Sequence, residues 1–306
     1  MQKESKYLIV IAGATASGKS ALAVELAKKL NTVVISADSR QFFREMSIGT
    51  AKPTQQEMEG VPHYFIDSHS ITEPYSVGDF ERDVLQLLGK LFAEQDVVIM
   101  AGGSGLYFRA VCHGVDDFPE TNPENRRSLQ QLIAEQGLEG LQQLLLEKDP
   151  EYYRKVDLNN PQRIIRALEV CLSSGKPYSS FRTGETKERP FTCLKIGLEW
   201  DREALYRRID RRVDDMMAKG LLNEARNLFA LRYLNALQTV GYQELFEYLE
   251  GKISLETAVE LIKRNSRRYA KRQLTWLRKE PDVNWFNAGE TATINAFLQQ
   301  QMHKTH

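Results

Sequence analysis

Cysteine is scarce: Cys112, Cys171 and Cys193 are the only three in 306 residues. They are isolated from one another and odd in number, which leaves neither a disulfide framework nor a cysteine-held zinc site, and points to free thiols in a reducing compartment. No apolar stretch reaches membrane-spanning length, and the short run near the start lacks the layout of a signal peptide. The expectation is a cytoplasmic protein with no membrane partner. An excess of one charge is missing too, since 41 basic side chains balance 41 acidic ones. Overall charge therefore predicts no polyanion partner, and only its local distribution is informative. Internal repeats and low-complexity linkers are absent. A chain of this length can bury a sizeable core, as one large domain or as a core carrying an insertion.

What is present begins with Tyr7-Leu8-Ile9-Val10-Ile11-Ala12, an apolar run that leads into Gly13-Ala14-Thr15-Ala16-Ser17-Gly18-Lys19-Ser20. After it Leu22, Leu26 and Leu30 recur every fourth residue, a helix signal. Strand, glycine-rich loop and helix in that order read as a phosphate-binding loop. Backbone N–H groups and the helix N-terminus hold the anion, Lys19 adds a positive charge, and Ser20 can place a hydroxyl on a magnesium ion. A second β-branched strand, Thr32 to Ala37, ends at Asp38-Ser39-Arg40-Gln41. Ligands of open α/β sheets sit at carboxyl ends of strands, so Asp38 lies beside the loop. It can accept a proton or help hold magnesium, directly or through water; equally, it can be an ordinary turn aspartate.

Tyr64 to Asp67 reads as a short strand, and Phe80, Val84, Leu87, Leu88 and Leu91 form a helical stripe starting near Asp79. The buried strand Val97 to Ala101 then runs into Gly102-Gly103-Ser104-Gly105, where an NTP-driven motor would place an aspartate. Ile48 to Pro53 reads as a polar loop of no evident role. From about Asp116 the alternation stops. Asn122-Pro123 opens a helix that Gly137 ends, and Asn160-Pro161 opens another that Gly175 closes. Phe191 to Leu198 returns to strand as the sheet's last member, everything from Asp201 on reads as helix, and the tail after about Asn287 reads as prone to fray. The fold class is α/β: a P-loop, kinase-like core with a parallel sheet flanked by helices (residues 1–116 and 191–306), plus a mainly helical insertion (117–190) and a helical C-terminal part.

Two basic features stand out locally. Arg163 and Arg166 share one helix face, either as a phosphate grip or as a solvated face. Between Lys263 and Lys279 lie eight basic residues with Tyr269 and Trp276 among them. That is more charge than one phosphorylated small molecule requires; nucleic acid is the natural counterpart, and a solvated face is the alternative.

Together with Pro161-Gln162-Arg163-Ile164-Ile165-Arg166, Val240-Gly241-Tyr242 and Tyr269 to Trp276, these segments resemble the bacterial tRNA dimethylallyltransferases, also called tRNA isopentenyltransferases. The resemblance runs in order from about Tyr7 to Phe286. It implies transfer of a dimethylallyl group from dimethylallyl diphosphate to the exocyclic amine of the adenine just 3′ of the anticodon, with magnesium, by an enzyme of kinase-like core expected to act as a monomer. By this resemblance Asp38 accepts the proton and fixes the base, Arg212 assists at the diphosphate, and Lys19 acts with the loop on the leaving group. It assigns tRNA contacts to Asp38, Ser39, Arg40 and Gln41, to Gln162, Arg163, Ile164, Ile165 and Arg166, and to Gln238, Thr239, Val240, Gly241, Tyr242 and Gln243. Ser104, Arg126 (or Arg127) and Arg272 complete that set, which would grip the anticodon arm. Ser20 and Ser104 stand where the family often has threonine, and both keep the hydroxyl.

Three other readings follow from the same residues. A small-molecule or nucleotide kinase shares the loop and predicts ATP turnover without RNA. An enzyme prenylating free adenine nucleotides leaves the insertion and the basic cluster unused. A non-catalytic RNA-binding protein leaves Lys19, Ser20 and Asp38 unexplained.

Overall fold

The computed structural model describes residues 5–303. The chain divides into two compact units: one runs up to His113 and resumes at Glu188, and the other is the contiguous segment Gly114–Lys187.

The larger unit is built on six strands, β1 (Tyr7–Gly13), β2 (Val34–Ser36), β3 (His63–Tyr64), β4 (Val97–Gly102), β5 (Thr192–Glu199) and β6 (Val283–Asn287). They form one parallel sheet in the order β3-β2-β4-β1-β5-β6. All seven residues of β1 are buried. Leu8, Val10 and Ala12 enter one core and Ile9 and Ile11 the other, because successive strand side chains point to opposite faces. A parallel sheet covered on both faces needs apolar residues on both, which is why its strands read as unbroken apolar runs. In register, Ser36 lies beside Ala101, Ala12 beside Gly102 and Gly13 beside Leu198, so four strands end together.

The helices of this unit are α1 (Lys19–Leu30), α2 (Gln55–Met58), α3 (Val77–Leu91) and α4 (Gly105–His113) and, after the smaller unit, α8 (Arg202–Ala218), α9 (Leu221–Leu228), α10 (Tyr242–Leu249), α11 (Leu255–Leu277) and α12 (Thr291–His303). Ser76 and Asp79 close a reciprocal capping box on α3, which fixes its start.

Three expectations are corrected. The strand Thr192–Glu199 is not the last, for β6 adds to its outer edge with Lys195 opposite Val283. Val283-Asn284-Trp285-Phe286-Asn287 is half-exposed, and an edge strand with polar residues gives no apolar run to read. The tail does not fray within the described residues: α12 buries Ile294 and Leu298 against the Ile9 and Ile11 side of the sheet, and Tyr7 Oη donates to Met302 O at 3.1 Å. The segment Tyr64 to Asp67 pairs only at His63–Tyr64, then turns away through positive φ at Phe65 (61°) and Asp67 (55°).

The smaller unit holds α5 (Pro123–Lys148), α6 (Pro150–Tyr153) and α7 (Pro161–Ser174). Each starts at an Asx–Pro pair. Asn122, Asp149 and Asn160 accept from backbone N–H groups of Glu124, Tyr152 and Arg163 at 2.9, 2.9 and 3.2 Å, while proline occupies the first helical position. Gly137 (φ 68°) breaks α5 into two segments. Leu129, Leu141, Leu145, Tyr152, Ile164, Ile165 and Leu168 make the core. Asp149, fully buried, also accepts from Ser179 N (2.6 Å) and Ser179 Oγ (2.8 Å), so its carboxylate is satisfied by three donors.

Candidate active site

The loop Gly13 to Ser20 leaves the central strand and delivers α1. Gly18 sits at φ 92°, open to glycine without penalty, and it gives α1 no side-chain cap. The first N–H groups of α1 are therefore left for an anion, aided by the helix dipole. Gly13 is fixed by space: a Cβ there would lie 2.7 Å from Ser17 Oγ and 3.2 Å from Leu198 O. Ser17 Oγ is itself buried and has no hydrogen-bond partner among the described residues.

Tertiary contacts hold the loop from outside. Trp200 Nε1 donates to Ser17 O (2.9 Å), and Arg208 Nε donates to Ala16 O (2.9 Å) with its guanidinium 4.4 Å from the Trp200 ring. The side-chain amide of Gln273, on α11, accepts from Thr15 N (2.9 Å) and donates to Gly103 O (2.9 Å). One amide thereby ties the loop after β1 to the turn after β4. The glycines of that turn are explained by close approach. A Cβ at Gly102 would lie 2.2 Å from Ala37 O, at Gly103 2.2 Å from Gln273 Nε2, and at Gly105 1.9 Å from the Trp276 ring. An aspartate has no room there.

A cavity with an empty volume of about 1150 Å³, counting its open mouth, faces these elements within the larger unit. Its polar lining includes Thr15, Lys19, Ser20, Asp38, Arg40, Gln41 and Arg212. Its apolar lining includes Ile209, Val213, Met216, Leu221, Val240 and Ile262, the first two flanking Arg212 on one face of α8. Burial, and next the charge of Arg212, lower the Lys19 pKa to about 8, with Asp38 opposing. Lys19 Nζ donates to Ala14 O at 2.7 Å. Burial likewise lowers the Arg212 pKa against the pull of Asp38 and then Glu57, and its side chain lines the cavity.

The Asp38 turn is locally built. Asp38 Oδ1 accepts from Arg40 N (3.0 Å), Ser104 Oγ accepts from Ser39 N (3.1 Å), and Gln41 is held between Ser36 Oγ (3.0 Å) and the carbonyls of Thr50 (3.2 Å) and Ala51 (3.3 Å). Asp38 also lines the cavity. Gln41 and Arg40 thus brace the turn as well as lining the site.

Two site elements lie outside what the sequence reading assigned. The loop Ile48 to Pro53, without a role from sequence, is pinned by Glu224 of α9. Glu224 accepts from Ser47 N (3.0 Å), Ile48 N (2.8 Å) and Gly49 N (2.9 Å), and from Tyr242 Oη (2.6 Å). No local signal could reveal a carboxylate 175 residues away from Gly49. The second element did leave a signal: Ile262, Ser266, Tyr269 and Gln273 recur along one helix face of α11 and line the cavity together. Burial pushes the Tyr269 hydroxyl up to about 12, so it stays protonated as a hydrogen-bond donor.

The other expected residues fall in three places. Thr239, Val240 and Gly241 line the cavity; Gln243 donates to Gln238 (2.9 Å) beside them, and Tyr242 is fully buried, its ring filling the space that Gly49 leaves. Gln162, Arg163 and Arg166 are exposed on α7 of the smaller unit, whereas Ile164 and Ile165 turn into its core. The side chains of Tyr242, Ile164 and Ile165 therefore serve packing rather than facing outward. Arg126 pairs with Glu169 (3.5 Å) and Arg127 is exposed. Of the eight basic residues on and after α11, Lys263 pairs with Asp214 (2.8 Å), Arg267 with Asp210 and Arg278 with Glu199 (3.8 Å). Arg264, Arg268, Lys271, Arg272 and Lys279 stay exposed, Arg272 against Tyr269 at 5.8 Å.

Residues 41–280 fit the family model described as IPP transferase. The chain is 52% identical over 300 residues to a tRNA dimethylallyltransferase of Cytophaga hutchinsonii, covering 98% of this chain and 99% of that one. It is also similar to the crystal structure of a tRNA isopentenylpyrophosphate transferase from Bacillus halodurans, with a TM-score of 0.72, 38% identity, and coverage of 99% and 98%. A eukaryotic dimethylallyltransferase acting on tRNA gives a TM-score of 0.79 at 28% identity, covering 97% of this chain and 77% of that one.

Proposed function

The chain belongs to the IPP transferase family and has its tRNA dimethylallyltransferase activity; we propose that the donor is dimethylallyl diphosphate and the acceptor the exocyclic amine of the adenine 3′ of the anticodon. The observation that carries this reading is one cavity lined both by cationic and hydroxyl side chains of the glycine-rich loop and α8 and by apolar side chains, with Asp38 among them. The donor needs both kinds of lining, for a diphosphate and for a five-carbon alkyl group.

The diphosphate lies on the free N–H groups of the loop and α1, with Lys19 and Arg212 beside it. These fixed donors stabilise the charge that builds as the allylic carbon–oxygen bond breaks. The alkyl group lies against Ile209, Val213, Met216 and Val240, which exclude water from the developing allylic cation. The amine nitrogen forms the new bond to carbon, diphosphate leaves, and the nitrogen gives one proton to Asp38. An aryl amine is a weak nucleophile, so placing it counts for more than its basicity.

Magnesium fits the donor set. Ser20 and Asp38 line the same cavity, and among the described residues no group of three or more His, Cys, Asp or Glu could hold a metal. An ion held by the Ser20 hydroxyl, substrate phosphates and water, with Asp38 reached through one of those waters, would be one that magnesium accepts. When bound it neutralises phosphate charge on the leaving group. The target base must leave its stack, which costs least in a single-stranded loop. No helix is long and apolar enough to cross a membrane among the described residues.

The test is transfer of radiolabelled dimethylallyl diphosphate into unmodified tRNA, comparing wild type with Asp38→Ala and following ATP turnover in parallel. Label in tRNA, falling on the order of 10²- to 10⁴-fold in Asp38→Ala, is expected. Label without such a fall removes Asp38 from the proton transfer. ATP turnover without label would overturn the reading.

A further inference from the structure

Tyr233 is 77% exposed, against 38% to 51% for the other exposed large hydrophobic side chains among the described residues. It stands in the turn between α9 and α10, yet its ring is not loose. Arg232 lies with its guanidinium carbon 4.3 Å from the Tyr233 centroid and 4.3 Å from that of Phe229, and its Nη2 donates to Tyr233 Oη at 2.6 Å. Arg232 is fixed in turn by Glu250 Oε1 (2.9 Å) and Phe229 O (3.1 Å). The arginine has partners enough without the tyrosine, and the tyrosine buries little, so packing gives no reason for an ordered aromatic ring in solvent.

Its position gives one. Gln238 Nε2 donates to Arg232 O (2.6 Å), linking the turn to Thr239, Val240 and Gly241 of the cavity wall. Arg40, which also lines the cavity, donates from Nη2 to Asn235 O (3.4 Å), two residues beyond Tyr233. Two residues of chain span at most about 7 Å, so Tyr233 is carried by the turn that Arg40 of the cavity reaches. We propose that Tyr233, ordered by Arg232, is a stacking platform for an unpaired anticodon-loop base next to the base that enters the cavity. Single-stranded bases are held by aromatic faces in this way, and an arginine over the opposite face strengthens the stack. This rests on the tRNA reading above.

The test uses the full chain and an anticodon stem-loop carrying 2-aminopurine at one loop position at a time. In the wild type, fluorescence is quenched at a position flanking the target. Tyr233→Ala abolishes that quench and raises KM for the RNA about five- to hundredfold, with kcat changed less than about twofold and KM for the donor unmoved. Tyr233→Phe, which keeps the face beside Arg232 but loses the hydrogen bond to the hydroxyl, keeps the quench and most of the affinity; a loss as large as in Tyr233→Ala assigns the effect to the hydroxyl and overturns the platform. Wild-type quench and KM in Tyr233→Ala overturn the platform while leaving the transferase intact. A matching rise in donor KM with a lowered Tm assigns the residue to folding and overturns it too. Failure of the wild type to modify the RNA at all overturns the parent reading, and the platform with it.

Discussion

The phosphate loop and α7 of the smaller unit both present positive charge, yet they are built in opposite ways. The loop's carbonyls and amides are gripped from distant segments by Trp200, Arg208 and Gln273. Gln162, Arg163 and Arg166 instead stand on the exposed side of a helix whose other face, Ile164, Ile165 and Leu168, is core. Bond breaking needs donors set in advance to fractions of an ångström, whereas phosphates of a flexible polymer need charge on an ordered surface with mobile ends. Tertiary supports are concentrated on the loop for which the diphosphate is proposed.

Removing a rigid support should break this contrast most visibly. Glu224→Ala leaves three loop N–H groups and the Tyr242 hydroxyl without their acceptor, each such loss costing about 1–3 kcal/mol when water cannot replace it. A Tm several degrees lower and kcat/KM down on the order of a hundredfold are expected, because Gly49, Thr50 and Ala51 form the cavity wall. Wild-type values in both assays would show that the loop holds itself.

A smaller effect sharpens the electrostatic side. With Lys19 lowered to about 8 by burial and by Arg212, its ammonium is present below that pH and lost above it. Affinity of the free enzyme for diphosphate should fall about tenfold per pH unit above 8. Calorimetric titration from pH 7 to 10 checks this, and Lys19→Arg should remove the bend. A bend that survives in Lys19→Arg would locate the titrating group elsewhere.

The smallest change belongs to the exposed helix. Replacing Arg163 and Arg166 by alanine should leave Tm unchanged and weaken tRNA binding a fewfold. The slope of log K against log salt should flatten by roughly 0.7–0.9 for each phosphate that the arginines no longer neutralise. An unchanged slope would make these arginines a solvated face.

The same contrast explains what could be read in advance. The strands buried on two faces, the phosphate loop and the Asx–Pro helix starts are local signals, and they stand where the sequence placed them. β6 escaped because an edge strand needs no apolar run, and α12 because only Ile294 and Leu298 anchor it fully. The basic cluster read as larger than it is, since Asp210, Asp214 and Glu199 are far from it in sequence and beside it in space. The hold of Glu224 on the loop after Met46 is purely tertiary. Candidate catalytic residue types can be read locally; the distant supports of their loops cannot.

The larger unit is discontinuous, and this has a consequence for synthesis. Tyr7 pairs with Thr192, so β1 cannot gain that neighbour until the whole of Gly114–Lys187 has been made. At about 5–20 residues per second those 74 residues take roughly 4–15 seconds. Throughout that time the central strand has one edge unpaired, and by its end the contiguous unit, whose helices begin at their own local stop-and-start signals, can already be complete. The larger unit is therefore the last to close on the ribosome, although its glycine-rich loop emerges ahead of the smaller unit.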